Sequence, residues 1–173
     1  ICTASVTAPA FGKEWLGKAI FWFSLVCCLI LMVLVTARYA KYKEIGEPAK
    51  PLFCIYAAPV SLCLAGYLQS FSAKSEIMVI ALMIFSAILY LNVLFHLPGY
   101  LKLPFYPSYS AFTFPFVISA IAMKGSAAYL AKAGFNVGFM KGAVLLETII
   151  AVCMVVYVLI RYVEFLTASK VQK

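Results

Sequence analysis

Few side chains in this sequence can do chemistry. There is one histidine, His96, and all six acidic residues are glutamates, with no aspartate anywhere in the 173 residues. Paired-aspartate catalysis, a Ser-His-Asp triad, an EF-hand loop and a multi-histidine metal centre are therefore excluded within the chain. The six cysteines contain no CxxC pair and no metal-ligand spacing, and Cys27, Cys28, Cys54, Cys63 and Cys153 fall inside apolar runs, where they read as small buried hydrophobes. Neither an enzyme nor a bound cofactor or metal is expected.

Three titratable positions remain. His96 ends an apolar run beside Leu97-Pro98-Gly99, where a histidine satisfies terminal carbonyls or, alternatively, couples a proton to transport. Glu147 lies about two turns into the last apolar run. An intramembrane acid is a candidate functional group, with snorkelling or pairing to Lys124 as the plainer reading. Lys102, in a short turn, either draws anions to a pore mouth or simply follows the charge bias of membrane loops.

The most informative pattern is a repeat. Pro51-Leu-Phe-Cys-Ile-Tyr-Ala-Ala-Pro59 and Pro107-Ser-Tyr-Ser-Ala-Phe-Thr-Phe-Pro115 each carry a proline at the start and another eight residues on, 56 residues apart. The first proline suits a helix start. The second removes a ladder bond and crowds the carbonyl four residues back, Ile55 or Ala111, so both helices are expected to kink near mid-membrane. A carbonyl freed there must face protein or water. The segment Phe112-Thr-Phe-Pro-Phe116 places rings around the second kink. Phe114, where the first copy has the small Ala58, could act as a hydrophobic constriction, or simply pack. Ala58, Ser61, Ala111, Ile118 and Ser119 are the candidate pore-lining residues beside Pro59 and Pro115. For any one of the small residues, close helix packing is the competing role.

These residues need elements to hold them. The chain is 65% hydrophobic and 12% charged, with a mean hydropathy of +1.02. Five apolar runs predict transmembrane helices over 15–37, 51–71, 77–97, 108–130 and 142–166, each long enough at ~1.5 Å per residue to cross a ~30 Å layer. The connections are short, so residues 1–173 form one membrane domain, all-α, with kinked inner helices and straighter outer ones. The net charge of +8 sits between the runs. It reads as loop charge at a membrane, and nucleic-acid binding is not expected. Counting Lys and Arg places the 38–50 cluster and the C-terminus on one face, assigned to the cytoplasm. Residues 1–10 read as the end of a preceding helix, and the chain as part of a longer protein.

The proline segments, Ser110-Ala-Phe-Thr-Phe-Pro115 after Pro107-Ser-Tyr and Pro51 through Tyr67, resemble two helices of the tellurite-resistance/dicarboxylate transporter family, which includes the plant slow-type anion channels. The likeness extends over essentially the whole chain and is nearest to bacterial members labelled exfoliative toxin homologues. It implies ten helices in five hairpins around a central pore, about five of them in this chain, and a homotrimer in the bacterial inner membrane. It also implies that a phenylalanine at the position of Phe114 closes the pore. Ser110 departs from the tryptophan common in plant-like members, which bears on pore width. The implied function is transport of small inorganic or organic anions, such as dicarboxylate, tellurite or chloride-like ions. A proton-coupled organic-anion carrier and a non-transporting membrane subunit are the alternatives.

Overall fold

The computed structural model describes residues 1–41 and 45–171, with side chains through 168. Among these residues the secondary structure is entirely helical. Helix α1 (Cys2–Thr7) and a 3-10 turn (Ala8–Phe11) lead through Gly12, in the left-handed conformation, into α2 (Glu14–Lys41). A 3-10 segment (Glu47–Ala57) then passes into α3 (Ala58–Ser70), and α4 runs Glu76–Tyr100. A second 3-10 segment (Pro107–Phe112) precedes α5 (Phe114–Lys132), and α6 runs Gly138–Val171. Of the basic residues counted toward the cytoplasmic face, Lys43 and Lys173 lie outside the described residues.

Five helical spans are long and apolar enough to cross a membrane: Glu14–Lys41, Glu47–Ser70, Glu76–Tyr100, Pro107–Lys132 and Gly138–Ala168. They coincide with the five predicted runs, extended at most ends by polar residues that the hydropathy pattern trims. The two spans that carry the proline repeat are the inner ones. They are 61% and 50% buried, against 22–33% for the other three. The outer helices expose rows of large apolar residues such as Leu29, Leu34, Leu91 and Leu159. That surface suits lipid, where exposed leucine carries no penalty.

Two of the expectations change in detail. Both proline spans change helix type at the second proline. Each is 3-10 up to the switch and α-helical after it, with the proline at the second α position. The switch uses the carbonyl that a kink would have freed, because Ile55 O accepts the Ala58 N–H in an i→i+3 bond. Second, the third helix does not stop before Pro98. It continues to Tyr100, and the Leu101 N–H closes on Leu97 O at 3.0 Å. A proline in the last turn forfeits a single ladder bond, so the helix tolerates it.

The core has two centres. Phe21, Cys63, Leu64, Tyr67 and Val79 form one, and Tyr90, Tyr109, Phe112, Phe116 and Met154 the other. Helix α1 packs on the first through a close approach. A Cβ on Gly66 would sit 2.2 Å from Ser5 Oγ, so only glycine lets the two helices meet at this spacing.

Candidate functional site

The switches at Ala58 and Phe114 start two α-helices inside their spans. Ala58 is the twelfth residue of the 24-residue span and Phe114 the eighth of the 26-residue one. Both line one apolar cavity of about 380 Å³, together with Pro59, Ile55, Leu62 and Cys63. The copies of the repeat thus meet in space as well as in sequence.

The rings of Phe112-Thr-Phe-Pro-Phe116 have opposite surroundings. Phe112 and Phe116 are fully buried, and Phe116 packs edge-on to Tyr90 at 5.7 Å. Phe114, between them, is 51% exposed. Thr113 explains part of this arrangement. Its hydroxyl donates to Ser110 O at 2.7 Å and its N–H to the same carbonyl at 3.2 Å, which holds the turn that swings Phe114 outward.

Ser61 and Ser119 are brought together, but with each other. Ser61 Oγ lies 3.0 Å from Ser119 Oγ and 2.7 Å from Ser86 Oγ, and it also donates to Ala57 O at 2.9 Å. All three serines are buried. Their hydroxyls are taken up in tying α3, α4 and α5 together. Ser86 was missed by sequence reasoning, and its signal was a lone hydroxyl in the middle of the apolar run Ile84-Phe-Ser-Ala87. Ala111 and Ile118 are likewise buried against neighbouring helices.

The titratable candidates sit in separate neighbourhoods. His96 is exposed, with Nδ1 2.9 Å from Asn92 O and its ring beside Phe53 and Tyr100. Glu147 is 6% exposed, and its Oε2 has no hydrogen-bond partner. The buried hydroxyl of Tyr90, also without a partner, is close enough to interact electrostatically with it. The expected pairing with Lys124 does not form: among the described residues the ion pair within 4 Å is Arg161–Glu164, at 3.4 Å. Lys124 is exposed and lines a different cavity with Thr148. The side chains of residues 147 and 148 leave α6 on different sides, so Lys124 follows Thr148 outward. Lys102 is exposed in the turn after α4.

Among the described residues no group of three His, Cys, Asp or Glu could hold a metal ion. The arrangement can offer a passing solute an apolar wall and an exposed ring. Comparison with protein-family models, with curated proteins and with solved structures gives no match of any kind for this chain.

Proposed function

We propose that the chain is part of a membrane transporter or channel for anions, with Phe114 as a movable constriction. The observation that carries this reading is the isolation of Phe114. It stands half-exposed between two fully buried rings, on a cavity shared with Ala58 and Pro59 at the matching point of the repeat. The basic residues at the membrane surfaces favour negative solutes, without a fixed cation at the constriction that would trap them.

The sequence resemblance supports the same reading and extends it. The cavity then belongs to a pore completed by further helices, in a homotrimer in a bacterial inner membrane. Lys102 and its neighbours supply a positive field at the cytoplasmic mouth. A proton-coupled carrier is the second reading, favoured by one observation: Glu147, buried with an unpartnered oxygen.

Reconstitution of the full-length protein into liposomes tests the proposal. Efflux of a loaded chloride or dicarboxylate above that of protein-free vesicles is expected. Vesicles that contain folded protein yet leak no faster than empty ones would refute it and favour a non-transporting subunit.

A further inference from the structure

Four of the six cysteines, Cys2, Cys27, Cys28 and Cys63, line the cavity that Phe114 faces. Two of them are in contact: Cys2 Sγ and Cys63 Sγ are 3.5 Å apart, across 61 residues of sequence. Cys28 belongs to the same core cluster as Cys63. Ser24, on the same wall, is 6% exposed. A thiol pair at van der Waals separation beside a cavity is more than the buried small hydrophobes these cysteines resemble in sequence. Cys54 and Cys153 have no such neighbour: Cys54 is buried in the other core and Cys153 is exposed on α6.

We propose that Cys2 and Cys63 form a dithiol modification site whose reagent is a small-molecule disulfide. The contact is held from both sides. Ser5 Oγ donates to Cys2 O at 2.7 Å, Ser70 Oγ donates to Ser5 O, and Gly66 lets Ser5 seat against α3. Closing to a disulfide bond of about 2.05 Å asks the sulfurs to travel roughly 1.5 Å, within reach of side-chain rotation. Cys2 is the entry point, since it is the less buried of the two, partly exposed whereas Cys63 is 1% exposed.

The chemistry balances with that reagent. The Cys2 thiolate attacks one sulfur of the small disulfide, a Cys2–S bond forms, the reagent's S–S bond breaks, and the first small thiolate leaves and takes up a proton. Cys63 then loses its proton and attacks Cys2 Sγ. The protein disulfide forms and the second small thiolate leaves and is protonated. Two protein thiols are oxidised by two electrons and the reagent is reduced to two thiols.

This inference rests on the proposed function for the water path that brings a polar disulfide to the cavity; liposome efflux tests that path, and the cross-link tests the site. Its test uses the full-length protein in lipid nanodiscs, treated with oxidised glutathione, then unfolded, alkylated and mapped by mass spectrometry. A Cys2–Cys63 cross-linked peptide that disappears on reduction is the expected result, with Cys54 and Cys153 not joined to each other or to this pair. In Cys63→Ser the cross-link is lost and Cys2 retains glutathione. A wild-type protein in which Cys63 pairs only with Cys28, or in which Cys2 stays capped while Cys63 is still alkylated, would overturn the assignment.

Discussion

Ser61 Oγ on α3 and Ser119 Oγ on α5 lie 3.0 Å apart, joining the two proline spans within about a turn of Pro59 and Pro115. Ser86 Oγ, 2.7 Å from Ser61, extends the junction to α4. With no hydrophobic drive between helices in lipid, contacts of this kind and close packing carry the association. Ser61→Ala removes the shared centre and leaves two buried hydroxyls short of a partner. It is expected to lower stability by about 1 kcal/mol, measured as the midpoint of unfolding in mixed detergent micelles. An unchanged midpoint would show that the triad contributes packing alone.

The seat of α1 gives a second prediction. Gly66→Ala drives a methyl to within 2.2 Å of Ser5 Oγ, an overpacking that costs about 1–3 kcal/mol. Ser5→Ala in the same protein removes the clashing oxygen and recovers part of the loss, a coupling read from the double-mutant cycle. Gly99 is the control. A Cβ there meets nothing within 4 Å, so Gly99→Ala leaves stability unchanged or raises it by up to about 1 kcal/mol. Equal effects at both glycines would contradict the close approach.

Glu147 gives a third. A buried carboxylate oxygen without a partner is a cost to the fold that apolar replacement removes. Glu147→Leu is therefore expected to be more stable than the native protein by roughly 1 kcal/mol or more, by the same unfolding midpoint. If protons are coupled to transport, the group concerned is Glu147: Glu147→Gln abolishes the pH dependence of efflux and His96→Gln, at an exposed ring, leaves it intact. Loss of that dependence in His96→Gln alone would reverse the assignment.

The five spans were legible because a run of about 20 apolar residues has one stable outcome in lipid. The relation between the second and fourth spans was legible too, since Pro51/Pro59 and Pro107/Pro115 impose the same backbone constraint twice. What the prolines do was only half legible. A missing N–H disrupts an α-ladder, but whether the chain bends or tightens into a 3-10 turn depends on the neighbours of Phe53, Tyr109 and Phe112, which are distant in sequence. Pro98 misled for a related reason: its position in the last turn, not its identity, sets its cost. The partners of Ser61, Glu147 and Cys2 were beyond local reading altogether. Each depends on which helix lies alongside, and apolar helices with little amphipathic character do not declare that face.

Phe114 tests the central claim most directly. The full-length protein and Phe114→Ala are reconstituted at equal, verified density, and anion efflux is compared. A ring that constricts the path predicts a rise in anion flux of about tenfold, a barrier lowered by about 1.4 kcal/mol, whereas Phe112→Ala, at a buried ring, destabilises the fold without opening the path. Unchanged flux in folded Phe114→Ala would contradict the account.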